Sequence, residues 1–164
     1  MAGRAWKFGD NISTDEITPG RYMGLRSNLP ELAKHTLEDA RKEFPGSVKP
    51  GDFVVAGKNF GMGSSREHAP IVIKTCGVAA VLAQSFARIF YRNAINIGLP
   101  AIVCDTTIID ENDQLELHLT DGVVENLTRK TKIQFPAMSK TMETILSEGG
   151  LIAYVEKHGD LVFS

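Results

Sequence analysis

Apolar and polar positions alternate through Arg4-Ala5-Trp6-Lys7-Phe8, the period of a half-buried strand, and Gly9-Asp10-Asn11 ends it. Capping and turn residues crowd positions 13 to 20, which reads as a loop. Residues 21 to 28 have no clean period: they mix two arginines with bulky apolar groups around a Gly24 hinge, as suits either a loop that closes over a ligand or an exposed connector. Leu32, Leu37, Ala40 and Phe44 give residues 31 to 43 a partly amphipathic helical face, stopped by Pro45-Gly46. A turn at 48–52 leads into the apolar run Phe53-Val54-Val55-Ala56. Ala69, Val72, Ile73 and Cys76 then form a stripe at helical spacing, with a start near Arg66 and Gly77 at the position of a terminating glycine.

The next apolar run, 78–83, has the continuous character of a strand covered on both faces, and 85–95 returns to helical spacing through Phe86, Ile89, Phe90 and Ile95. Residues 99–104 form another buried strand. Strand, helix, strand, helix, strand over 53–104 predicts a largely parallel sheet with right-handed crossovers. From 113 to 135 short alternating segments broken by Asp121-Gly122 predict antiparallel strands; helices follow at 138–147 and 151–157, separated by Gly149-Gly150.

A chain of 164 residues, 43% hydrophobic and 23% charged, fits one soluble domain with a real core, expected to span 1–164. A net charge of −2 with scattered cations supplies no basic stripe for nucleic acid, and no apolar run is long enough to cross a bilayer. The first residues lack the apolar core of a signal peptide, and two cysteines in apolar contexts suit packed thiols in a reducing, cytoplasmic setting.

Chemistry concentrates at residues 57–68, where a strand crosses into a helix. Gly61 and Gly63 permit a close backbone approach, and Ser64, Ser65 and Arg66 add two hydroxyls and a planar cation, together a cradle for a small anion. A serine hydrolase would need a Gly-x-Ser-x-Gly elbow; here the second glycine is missing and His68 is the sole nearby base. A nucleotide loop would need a Gly-Lys-Ser/Thr ending, and the cysteines and histidines show no zinc spacing. Recognition of a carboxylate by Arg66 and backbone amides, with a serine placed to exchange a proton, fits these residues best. Asp10 and Asp15 are either site carboxylates or loop-fixing Asx residues.

Residues 7–17 (Lys-Phe-Gly-Asp-Asn-Ile-Ser-Thr-Asp-Glu-Ile), 57–70 (Gly-Lys-Asn-Phe-Gly-Met-Gly-Ser-Ser-Arg-Glu-His-Ala-Pro), 85–98 (Ser-Phe-Ala-Arg-Ile-Phe-Tyr-Arg-Asn-Ala-Ile-Asn-Ile-Gly) and Gly149-Gly150-Leu151 carry a resemblance across nearly the whole chain. It resembles the small subunit of the two-subunit hydro-lyases of the aconitase superfamily, typified by 3-isopropylmalate dehydratase. The resemblance implies an α/β fold of the swivelling β/β/α kind, with a largely parallel central sheet, that closes over a large subunit bearing a [4Fe-4S] cluster, as a heterodimer or heterotetramer. It implies that Ser64 is the base removing the proton alpha to a carboxylate, that Ser65 and Arg66 bind substrate carboxylate, and that no metal is held by this chain itself. On the 21–28 loop, Arg26 is the candidate for a distal carboxylate, ahead of Arg21, while Met23 and Leu25 suit an isopropyl or methyl group. The implied reaction is the dehydration and rehydration of a 2-hydroxy di- or tricarboxylic acid, foremost the interconversion of 2- and 3-isopropylmalate in leucine biosynthesis. Homoaconitate, citramalate and 2,3-dimethylmalate enzymes share the architecture, and a non-enzymatic carboxylate-binding domain is a further alternative.

Overall fold

The computed structural model describes residues 2–159. In chain order its strands are β1 (Gly3–Lys7), β2 (Phe53–Val55), β3 (Ala80–Ala83), β4 (Ala101–Val103), β5 (Gln114–His118), β6 (Val123–Asn126) and β7 (Thr131–Gln134). Its helices are α1 (Thr14–Ile17), α2 (Leu29–Ala33), α3 (Phe44–Ser47), α4 (His68–Thr75), α5 (Arg88–Asn96), α6 (Lys140–Ser147) and α7 (Leu151–His158). The sheet runs β4-β3-β2-β1-β5-β6-β7. Strands β1 to β4 pair in parallel, as the strand and helix alternation predicts, and β5 joins β1 antiparallel and opens the antiparallel β5-β6-β7 meander.

Alternation along the parallel strands divides the apolar side chains between two cores. Trp6, Val54 and Val81 face the helices, where they meet Leu32, Val72, Ile73 and Phe90. Ala5, Phe53, Val55 and Leu82 face the other way, onto Leu115, Val124 and Ile133 of the meander, which curls back across the sheet. Three layers result, meander on parallel sheet on helices, the β/β/α arrangement of the expected fold class. A buried carboxylate ties the first two strands: Asp52 accepts from the Arg4 amide at 3.1 Å, the Trp6 indole at 2.9 Å and the Lys49 amide at 2.9 Å. Arg4 and Arg41 sandwich this corner through the Trp6 ring and both donate to Glu111. Among the described residues no helix is long and apolar enough to cross a membrane.

Two local expectations are corrected. Residues 13–20 are not simply a loop: Ser13 accepts from the Glu16 amide and Glu16 accepts from the Ser13 amide, and this capping box nucleates α1, too short to show a period. Residues 31–43 are not one helix. After α2 the Leu37 amide turns to the Ile17 carbonyl at 3.0 Å, Leu37 adopts a left-handed φ of 58°, and its fully buried side chain enters the helix-side core. Pro45 and Gly46 lie within α3 instead of ending a helix.

Asp52→Ala leaves the Trp6 indole and two amides without their acceptor, and unsatisfied buried donors cost about 1–3 kcal/mol each. Even at the low end, about 3 kcal/mol for the three donors together, we expect a drop in thermal midpoint of roughly 6–12 °C in a calorimetric scan, with an unchanged midpoint counting against the role of this carboxylate.

Candidate active site

Three loops leave the C-terminal ends of β1, β2 and β3 side by side, and backbone hydrogen bonds lace them together. The β2 loop receives bonds on one flank from Asn11 (to the Lys58 carbonyl, 2.7 Å) and Thr14 (to the Met62 carbonyl, 2.8 Å), while Gly61 donates to Ile12 at 2.7 Å. On its other flank Phe60 donates to Ser85 at 3.1 Å and accepts from Ala87 at 2.9 Å. Phe60 is wholly buried, packed edge-on against Phe86 and Phe90. Gly61 follows with φ 84°, and a Cβ there would come within 2.3 Å of the Phe90 ring, so only glycine allows the loop to run this close to α5.

Between the β2 loop and α5 lies a cleft of about 260 Å3. Gly63, Ser64, Ser65 and Arg66 form one wall, the first turn of α5 with Asn93 the other, and Thr14 part of the floor. Ser64 and Ser65 are exposed. Among the described residues the amides of Gly63, Ser64 and Ser65 find no acceptor. No side chain caps the first turn of α5, so its free N–H groups and the positive end of its dipole face the same space. Thr14, nearly buried, donates from its hydroxyl to the Ser64 carbonyl at 2.7 Å and stands 3.5 Å from the Ser64 hydroxyl oxygen, so α1 fixes the position of this serine.

Arg66 is held from behind. Its Nη1 donates to Asp15 Oδ1 at 2.6 Å and to the Thr18 carbonyl at 2.8 Å, and among the described residues the Nε–Nη2 edge has no acceptor. A carboxylate can meet that edge with two parallel hydrogen bonds. Asp15 in turn accepts from the Gly20 amide at 3.0 Å. The hydrogen bond from Arg66, with help from that amide, holds the Asp15 carboxyl below the usual aspartate range. Asp10 accepts from the Lys58 amide at 2.8 Å. Both aspartates therefore fix loops, and Asp15 does so through the arginine of the cleft.

The segment with the remaining predicted arginines is a 3-10 turn, Gly20–Leu25. Arg21 is committed there: it lies over the Tyr22 ring and pairs with Asp39 and Glu38, and the Asp39 carboxylate pushes its pKa upward. Arg26 is exposed, with one long contact of 3.5 Å to the Met23 carbonyl, and is not among the residues lining the cleft. Met23 takes a 3.7 Å contact from the Thr18 hydroxyl, and Leu25 packs on the core. His68 opens α4 and does not line the cleft either, so no serine and histidine pair forms there. Thr14, Arg88 and Asn93 went unrecognised as cleft residues; their segments carried motifs, but nothing in their spacing shows that α1 and α5 converge on the glycine-rich loop.

The donor set does not suit an iron–sulfur cluster on this chain. Cys76 packs with the helix-side core and Cys104 with the opposite one. Burial raises the pKa of both thiols, that of Cys104 to about 12 with the Asp105 charge adding to the effect, so the thiolates a cluster needs are disfavoured.

The profile of the aconitase C-terminal domain matches residues 10–106. The chain is 62% identical to 3-isopropylmalate dehydratase small subunit 2 of Archaeoglobus fulgidus, over 98% of each chain. It is 56% identical to 3-isopropylmalate dehydratase small subunit 1 of Thermotoga maritima, over 97% of this chain and 96% of that one. The crystal structure of a 3-isopropylmalate dehydratase chain from Methanocaldococcus jannaschii superposes with a TM-score of 0.91 at 45% identity, covering 96% of this chain and 94% of the other.

The lowered Asp15 pKa makes the arginine tether sensitive to acid. Its contribution to the arginine tether is present above the ordinary value of 3.8 and is lost as pH falls through the lower, folded value. Carboxyl-carbon NMR should find Asp15 titrating below 3.8, and Arg66→Ala should return the midpoint toward 3.8. A midpoint indifferent to Arg66 would show that the tether is absent in solution.

Proposed function

Because this chain belongs to the aconitase C-terminal domain family, and within it to the 3-isopropylmalate dehydratase small subunits, we propose that its cleft is the small-subunit half of an active site interconverting 2- and 3-isopropylmalate in leucine biosynthesis. It acts as a hydro-lyase subunit, a single swivelling domain over residues 1–164, in the cytoplasm, where its two thiols stay reduced. One observation carries the reading: an arginine pinned by Asp15 and Thr18 sits two residues from a serine hydroxyl, beside unpaired amides.

In this reading a substrate carboxylate docks on the free edge of Arg66 and the Ser65 hydroxyl. Ser64 Oγ then takes the proton from the adjacent carbon, and the electron pair of that C–H bond moves into the carboxylate. Serine in water is far too weak an acid to serve as this base. The alkoxide becomes accessible where Arg66 and the amides of Gly63 to Ser65 favour the charged form and a covering surface removes water. The same donors stabilise the charge that builds on the carboxylate. Thr14 sets the direction in which Ser64 presents its oxygen. Departure of the hydroxyl is not a task for these residues. We assign it to a large subunit that carries the [4Fe-4S] cluster, in keeping with the unsuitable thiols described above. Arg26 is the cation left over on the 3-10 segment, and we assign it to a distal carboxylate where the substrate has one.

With the reconstituted two-subunit complex, Ser64→Ala is expected to lower kcat by roughly a hundred- to ten-thousand-fold, the usual contribution of a positioned acid or base, with substrate still bound. Retained turnover would remove Ser64 from the chemistry and leave a carboxylate-binding role. Arg66→Lys should lower kcat/KM by about tenfold or more, because an ammonium cannot reproduce the two-bond contact. Alkene absorbance with isopropylmalate, citrate, homocitrate, citramalate and 2,3-dimethylmalate in parallel should favour isopropylmalate; preference for a tricarboxylate, abolished by Arg26→Ala, would reassign the substrate.

A further inference from the structure

Two charged side chains line the cleft, Arg66 and Arg88, and among the described residues no carboxylate does. Asp15 holds Arg66 from behind, whereas Arg88 has no hydrogen bond or ion pair among the described residues. The place of Arg88 in the fold makes this electrostatically unfavourable. It is the first residue of α5, whose opening turn contains no acidic side chain and no side-chain cap. A cation there meets the positive end of the helix dipole, where an anion is favoured instead. Exposed Arg92, one turn further on, has no partner among the described residues either and adds to the positive charge. Asn93 is half-buried in the same wall, and its side-chain amide also lacks a partner among the described residues. Donors without acceptors therefore line both walls: the open edge of Arg66 with the amides of Gly63 to Ser65 on one, Arg88 and Asn93 on the other.

We propose that Arg88, with the Asn93 amide of the same wall, binds a second carboxylate of the substrate, so that a dicarboxylate spans the cleft between arginines on facing walls. The inference rests on the functional reading above and deepens it. One carboxylate is seated there, on Arg66 and Ser65, and Arg26 is left for a more distant one. Both isopropylmalates carry two carboxylates on neighbouring carbons, and the second needs a counter-charge once water leaves the covered site. Arg26 stands outside the cleft lining, so Arg88 is the cation in place for it. A guanidinium offers parallel donors to a carboxylate, and the asparagine amide adds another. The bound anion also offsets the charge at the head of α5. A dicarboxylate gripped at both ends has the two carbons between its carboxylates held across the cleft beside Ser64, the positioning that proton removal needs. A monocarboxylate leaves one arginine without a counter-charge and binds less well.

Calorimetry on the cluster-loaded two-subunit complex tests this with isopropylsuccinate, a dicarboxylate that lacks the hydroxyl and cannot be dehydrated, and with its two half-amides, each of which keeps one carboxylate. The unsubstituted complex should bind the dicarboxylate about tenfold or more tighter than either half-amide, the scale of a lost charge-assisted hydrogen bond. Arg88→Gln should bring Kd for the dicarboxylate up to that of the half-amides, so that the preference disappears. Arg88→Lys should keep part of it, because the charge remains while the planar fork is gone. Arg92→Gln is the control: it removes an exposed charge from the same helix, outside the cleft lining, and should leave the preference intact. Full preference in Arg88→Gln overturns the proposal and gives the second carboxylate to the covering subunit. Equal weakening of the dicarboxylate and the half-amides also overturns it and makes Arg88 a structural residue. Ser64→Ala assayed for turnover alongside separates the two ideas: turnover without that hydroxyl defeats the functional reading, whereas the ratio of affinities speaks only to Arg88.

Discussion

Every part of the cleft depends on the backbone hydrogen bonds that lace the loops after β1, β2 and β3. The glycine-rich loop has little side-chain bulk of its own with which to hold a shape. Its amides and carbonyls are instead shared with Asn11, Ile12 and Thr14 on one flank and Ser85 and Ala87 on the other. This lacing follows from the parallel pairing of β1, β2 and β3 in adjacent positions, which delivers all three loops to one edge. Phe60 closes the arrangement from below by burying its ring between Phe86 and Phe90. The order of the strands thus determines which segments meet, and Gly61 allows them to meet closely.

Two kinds of charged group serve this frame in different ways. Away from the cleft, Asp52 ahead of β2 and Glu111 alongside β1 are structural: they gather donors from Arg4, Trp6, Lys7, Lys49 and Arg41 and hold the first strand in place. At the cleft, Asp15 and Arg66 form a pair that remains partly exposed, so its worth lies less in stability than in orientation. One nitrogen of the guanidinium is occupied and the other edge is presented. Charge is fixed in space before any ligand arrives, and little reorganisation is needed when one does.

Much of this was legible in the residues themselves. The alternation at 4–8 and the continuous apolar runs at 53–56 and 78–83 marked strands because burial on one face or two leaves that trace in the pattern. That the turn after β2 would leave backbone amides free was legible from Gly61 and Gly63 beside two serines and an arginine. What stayed hidden depended on tertiary contact. Leu37 breaks the apparent 31–43 helix only because the Ile17 carbonyl and a core vacancy claim it, and neither is local in sequence. Thr14 reads as a capping-region residue, and its second role, beneath Ser64, exists only once α1 has been folded against a loop fifty residues away. Asp15 was open between two roles, and its contact with Arg66 joins them.

The rigid back-bracing of Arg66 also bears on handedness. Ser64 and Arg66 belong to one short loop, one fixed through Thr14 and the other through Asp15 and Thr18. A carboxylate seated on the free guanidinium edge has its plane set by that edge, and the bond to the neighbouring carbon must then leave in a set direction. Rotation about that bond remains free, so the Arg66 edge and the Ser64 oxygen alone do not choose between the two mirror-related hydrogens at that carbon. A third contact, on the α5 wall of the cleft or on a covering surface, has to fix the rest of the ligand, and any preference of hand therefore belongs to the closed cleft as a whole.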